Sequence, residues 1–242
     1  MSMTYIQLCR RTRQECGIPA ASNSIPSAVT GQAGELQKIV DFVAQAWVEI
    51  QNKHDSWRWM RRAFTVTTTT DQSEYASTAC TDTTDVAAIS RFKRWLISDD
   101  TGYPTFSIYA TASGVAAQQW LIYLPWGKFR SIYRFGTQTS GSPVHISITP
   151  AGKFALGPAP DSTGYTVGGD YQMGAKTLAA DGDTPDMPGD FHMCIVYEAM
   201  KKYAGFESAP EVWDRAKSEG GPLMWALERD QLPEITVGGA IA

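Results

Sequence analysis

What is scarce in this 242-residue chain narrows its chemistry first. It has four cysteines and three histidines. Cys9, Cys16, Cys80 and Cys194 are scattered and form no CxxC pair, which argues against a zinc cluster and predicts reduced thiols buried as small hydrophobes. No apolar run approaches the roughly 18–20 residues that a membrane span needs. Met1 is not followed by a basic segment and an apolar core, so no signal peptide is expected, and the chain is expected to be soluble and to stay in the cytoplasm where it is made. There is no nucleophile elbow and no HExxH helix, and no Asp/Glu pair lies in an obviously apolar, aromatic setting. Neither catalysis nor a cofactor is expected.

What is present is ordinary globular composition, 43% hydrophobic and 19% charged, long enough for one large or two small cores. The net charge of −4 hides a gradient. Residues 1–62 hold eight Lys/Arg against five Asp/Glu, residues 63–180 hold eight of each, and residues 181–242 hold five against twelve. Such a chain can pair head to tail with its copies, or simply carry two differently solvated surfaces.

Hydrophobic period divides the chain. Thr4 and Gln7 form a capping box for a first helix that Gly17 ends before Pro19, and 18–32 reads as an extended loop. In "AGELQKIVDFVAQAWVEIQNKH", Leu36, Ile39, Val40, Val43, Trp47 and Ile50 recur at three- and four-residue steps, predicting an amphipathic helix. From Phe64 to about Met173 the pattern is strand-like, in "FKRWLIS", "TFSIYAT", "QQWLIYLP", "VHISITP", "KFALGP" and "GYTVGGDYQM". One short helix interrupts it at "PWGKFRSIYRFG". Helical period returns after Leu178, in "DFHMCIVYEAMKKYAG" stopped by Gly205 and in "SAPEVWDRAKSE" capped by Ser208 and Glu211, with a break or kink at Gly220-Gly221-Pro222 before "LMWALERDQLP". The expected fold is α+β: terminal helices packed as a bundle (1–61 and 179–242) with an inserted antiparallel β-rich domain (62–178).

The segment "DGDTPDMPGDFH" carries four aspartates and one histidine. As a calcium loop it fails, because Pro185 and Asp186 stand where a ligand and a glycine belong and His192 stands where a bidentate Glu belongs. As an acid/base site it lacks an apolar enclosure to shift its pKa values. A structural reading needs less: Asp186 as helix cap, Pro188 near the first turn, Asp190 adding first-turn charge, and His192 packed or at the surface.

The order "LGPAPDSTGYTVGGDYQMGAKTLAADGDTPDMPGDFHMCIVYEAMKKYAGFE", with "TGQAGELQKIVDFVAQAWVEIQNKHDSWRWMRRAFT" and "WLIYLPWGKF", resembles the head-to-tail adaptor (connector) proteins of tailed bacteriophages, of the tail-tubular or gatekeeper kind. The resemblance spans roughly 4–232 and rests on the Pro158-x-Pro160-Asp161 turn, a strand ending near Tyr171, and the Asp/Pro lead-in to the "FH" helix. It implies a structural virion protein at the head–tail junction, assembled in the host cytoplasm as a homo-oligomeric, commonly dodecameric, ring. In that family the helical part docks on the portal protein, the β-part meets the next tail or nozzle component, and double-stranded DNA passes through non-specifically. No membrane is involved.

The residues suit that role. Eight Trp, ten Tyr and nine Phe exceed what a core of this size needs, and aromatics are favoured at interfaces. "HDSWRWMRR" gathers Trp57, Arg58, Trp59, Arg61 and Arg62 at the helix-to-strand junction, as a subunit or portal anchor or as a Trp-lined hinge. Leu232 and the apolar tail, with Ile235, Val237 and Ile241, are expected to grip a partner, the tail ordering on docking. The competing readings are a tail-associated glycan-binding module using Trp120 or Trp126, and a cell-wall hydrolase using two carboxylates.

Overall fold

A computed structural model describes residues 2–18 and 25–233. Among them run five α-helices: α1 (Tyr5–Glu15), α2 (Gly34–Lys53), α3 (Trp126–Tyr133), α4 (Met193–Glu207) and α5 (Pro210–Gln231). Eleven strands lie between α2 and α4: β1 (Arg61–Thr67), β2 (Glu74–Tyr75), β3 (Thr81–Asp82), β4 (Ala87–Ala88), β5 (Arg94–Leu96), β6 (Ser107–Ala110), β7 (Gln119–Trp120), β8 (Ile122–Tyr123), β9 (His145–Ile148), β10 (Phe154–Gly157) and β11 (Tyr165–Gln172). The architecture is α+β, as the change of hydrophobic period predicts. Contacts divide the chain into a helical unit within Met1–Met60 and Ala175–Ala242, and a β-unit, Arg61–Gly174, that holds every described strand and α3.

In the helical unit the α2 stripe turns inward: Ile39, Val40, Val43, Trp47 and Ile50 are buried. Each such side chain contributes about 1.5–3 kcal/mol over its exposed state. The central element is α4, which packs against α1, α2 and α5 and buries Cys194, Ile195, Val196, Ala199, Met200, Tyr203 and Ala204. It passes Gly205 and ends at Glu207, where Ser208 takes a left-handed conformation (φ 54°).

That use of Ser208 displaces the expected capping box. Ala209 precedes α5 instead, and Pro210, whose ring presets a helical φ, opens it. The expected break at Gly220-Gly221-Pro222 is also corrected: α5 runs unbroken from Pro210 to Gln231 with Pro222 inside. Burial of Ala216, Met224 and Leu227 on both sides of the weak stretch outweighs local propensity. The carbonyl that Pro222 orphans belongs to Ser218, an exposed residue that water can reach. Gly220 serves packing: a Cβ there would lie 2.7 Å from Tyr197 Cβ, so glycine lets α5 press against α4.

The β-unit is organised around β11. It pairs antiparallel with β1 over Arg61↔Gln172 to Thr67↔Thr166, and its other edge takes both β5 and β6. The larger sheet has the order β4-β3-β1-β11-β6-β7, with β5 on β11; the smaller is β2-β10-β9-β8, antiparallel except for the β8–β9 pair. An aromatic cluster joins the two. Phe64 packs on Trp95 (4.7 Å between centroids), Phe106 (5.4 Å) and Phe154 (5.9 Å), and Phe154 stacks on Tyr75 (5.2 Å). Gly169, directly across from Phe64, makes room, since a Cβ there would sit 3.0 Å from the Phe64 ring and 3.1 Å from Phe106. Nearby, Asp82 accepts the Tyr171 hydroxyl at 2.5 Å and the Thr84 N–H at 2.6 Å.

All four cysteines are buried free thiols, and burial pushes each pKa up to about 12.

The two adjacent glycines of α5 give opposite expectations. Gly220→Ala forces its methyl into Tyr197 and should cost about 1–3 kcal/mol. Gly221→Ala meets nothing within 4 Å and should stabilise the helix by roughly 0.5–1 kcal/mol. Urea denaturation of both variants checks this; equal effects would show that Gly220 does not set the α4–α5 approach.

Candidate functional site

The first candidate surface is the stretch around Trp57. Trp57 is fully enclosed within the helical unit, its indole N–H donating to the Ile50 carbonyl at 2.9 Å. The His54 ring meets it edge-on at 4.9 Å, and Trp59 stacks on it at 4.2 Å. Trp57 therefore offers no surface of its own; it fixes the half-buried Trp59. Arg58 is exposed and reaches the Asp230 carbonyl at 3.4 Å, at the end of α5. Two residues back, Glu228 accepts from Lys53 (2.8 Å) and His54 (3.0 Å). Burial works against the Glu228 carboxylate, but those two partners prevail and hold its pKa below the ordinary range. The end of α2 is thus pinned to the end of α5, and half-buried Leu232 follows directly. In the β-unit Arg61 pairs with Asp100 at 2.5 Å and Arg62 with Asp85 at 3.7 Å. Ile235, Val237 and Ile241 lie outside the described residues.

The aspartate stretch is lacing. Asp181 accepts the Val29 N–H at 2.6 Å, and Asp183 accepts those of Ala179 (2.7 Å) and Ala180 (2.9 Å), which lower its pKa. The carbonyls of Asp183 and Asp181 take the first-turn N–H groups of α1, from Tyr5 (2.7 Å) and Ile6 (3.2 Å). Asp186 does not cap a helix: it pairs with Lys176 at 3.0 Å, and α4 begins only at Met193 after a short 3₁₀ turn at Gly189–Phe191. The cap was misread because Asp186 has a cation ten positions upstream, a contact no local pattern encodes. Gln51, fully buried, holds the same loop twice, donating to the Lys176 carbonyl (2.9 Å) and accepting its N–H (2.8 Å). His192 is buried between the Met3 N–H on Nδ1 (2.9 Å) and the Met187 carbonyl on Nε2 (3.1 Å). Those partners require a neutral ring with its proton on Nε2. Among the described residues, no three His, Cys, Asp or Glu side chains are placed to hold a metal ion.

The third surface surrounds Trp120, which the sequence suggests only under the glycan-binding reading. Strand tryptophans usually point into cores, yet Trp120 is 59% exposed, and Ile122 (55%), Tyr123 and Tyr103 are exposed with it. Trp120, Ile122 and Tyr123, together with Ile97, Pro104, Phe106 and Ile146, line an apolar cleft of about 380 Å³ in the β-unit. The available signal was "WLIYL": five apolar residues in a row, where a strand with one wet face alternates.

His192 gives the pH test. Burial lowers its pKa from 6.5, outweighing its hydrogen bonds and Asp190. Below pH 6.5 the unfolded chain takes up this proton before the folded one does, so the His192 contribution is full above that pH and declines as pH falls. His192→Gln should cost about 1–3 kcal/mol at pH 7.5 through unpaired Met3 or Met187 backbone groups, and should flatten the fall in stability as pH drops below 6.5. Thermal melts of both proteins across that range check it; parallel curves would refute the buried neutral ring.

A family model described as SU10 adaptor protein matches residues 3–222, a span that takes in both units. No curated protein matches the chain.

Proposed function

Because the chain belongs to the SU10 adaptor protein family, we propose that it is one subunit of a dodecameric ring joining the portal of a DNA-filled bacteriophage head to the tail. The observation that carries this reading is the extent of the match, which treats the helical and β-units as parts of one adaptor. The surfaces support it. Phe206, Trp213 and Trp225 are exposed on the helical unit, and Tyr103, Trp120, Tyr123 and Phe135 on the β-unit. A subunit with neighbours on each side and partners above and below needs aromatic surface on both.

In this reading the helical unit docks on the portal, with Arg58, Trp59 and Leu232 as the contact region that Trp57 and Glu228 hold rigid. The β-unit meets the next tail component, with Arg61 and Arg62 oriented by Asp100 and Asp85. The ring sits at the head–tail junction, is assembled in the host cytoplasm and performs no bond chemistry. Double-stranded DNA passes without being held: residues 181–242 carry twelve Asp/Glu against five Lys/Arg, a balance that repels phosphate. The exposure of Trp120 is the observation favouring a glycan-binding module instead.

Mass photometry of the purified chain with portal should show a discrete ring-sized complex. Arg58→Glu with Trp59→Ala should weaken it about tenfold or more, as loss of an aromatic/Arg contact does. A chain that stays monomeric beside the portal and binds glycans, or releases soluble fragments from cell wall, would overturn the proposal.

A further inference from the structure

The apolar cleft of the β-unit lies where both sheets end. β7 is the last strand of the larger sheet and β8 of the smaller, and buried Leu121 links them. Ile122 and Leu124 donate their N–H groups to Val144 (2.9 Å) and Ile146 (2.8 Å) on the β9 side. Alternation then turns the N–H and C=O of Tyr123 outward, where no strand pairs with them among the described residues. An exposed edge with large apolar side chains is a template for another extended segment. The sequence that supplies most of the cleft is one-sided in charge. Residues 101–160 contain no Asp or Glu, while Lys128 and Arg130 on α3 are exposed. The nearest acids upstream are engaged, Asp99 by the N–H groups of Thr101 (2.8 Å) and Tyr103 (2.9 Å), and Asp100 by Arg61.

We propose that this cleft receives residues Glu234–Ala242 of a second copy of the chain. The segment "EITVGGAIA" has the matching chemistry. Ile235 and Val237 are two apart, so a segment added to the edge as a strand would present both to the same face. Gly238 and Gly239 allow close backbone approach, and Glu234 is the segment's one charged side chain. Nine residues beyond the described chain reach up to about 30 Å when extended. Each copy then gives one tail and accepts one, a head-to-tail contact that generates a closed ring when its rotation closes. The choice of a second copy rests on the ring reading above; the fit of segment to cleft does not.

The test uses full-length protein. Ile235→Asp/Val237→Asp leaves the cleft open and serves as receptor for a fluorescein-labelled peptide of residues 231–242. Saturable binding is expected, weakened at least tenfold when Trp120→Ala or Ile122→Asp is added, both exposed positions whose change leaves the fold intact by circular dichroism. Tyr123→Cys protein mixed with Val237→Cys protein should give a mixed disulfide dimer under mild oxidation, which only contact between two chains can produce. Absent binding, binding indifferent to Trp120 and Ile122, or a disulfide seen only within one doubly substituted chain would each overturn the proposal. Ring mass of the wild-type chain with portal is read separately: without peptide binding but with an intact ring, this inference falls and the adaptor reading stands; without a ring but with peptide binding, the reverse holds.

Discussion

The chain leaves its helical unit at Met60, spends more than a hundred residues elsewhere, and comes back at Ala175. What makes that excursion possible is the pairing of its first strand with its last. Arg61–Thr67 lies antiparallel to Tyr165–Gln172 from the first residue of the β-unit onward. The ends of the insertion are thereby brought together by backbone hydrogen bonds, and the entropy of closing so long a loop is met inside the β-unit. The helical unit repeats the device with side chains: buried Gln51 near the end of α2 holds both backbone groups of Lys176. Two short ladders thus let terminal segments far apart in sequence form one helical core.

The parts of this fold that were legible are those governed by period. The α2 stripe, the short α3 among strands, and the strands around Trp95, Ile108, Ile146 and Val167 follow from spacing of apolar residues alone. The misreadings share a cause. Gly220-Gly221-Pro222 looks like a break because propensity says so, and the packing of Gly220 on Tyr197 that overrides it is a tertiary contact. Ser208 and Asp186 look like caps because their chemistry permits it, but Ser208 is in a left-handed turn and Asp186 is drawn to Lys176.

The candidate surfaces were legible in part. The tryptophans and arginines at 57–62 stood out as a cluster, yet sequence could not show that Trp57 is enclosed while Trp59 and Arg58 reach the surface beside the end of α5. Trp120 stood out only as a glycan contact, and the cleft around it was not legible because strand aromatics are usually interior. What distinguishes this one is that β7 and β8 are terminal strands of two different sheets, a fact of topology. The aspartate stretch shows the converse: its density of carboxylates suggests chemistry, and almost every one is occupied with a backbone N–H or a lysine.

The enclosed thiols bear on where this protein can function. A sulfur that keeps its proton until pH about 12 has almost no thiolate at neutrality, and the thiolate is the species that attacks disulfides and reacts with oxidants. The four thiols are accordingly poorly reactive at neutral pH. Disulfide exchange and thiol cross-linking have no accessible starting point while the fold is intact.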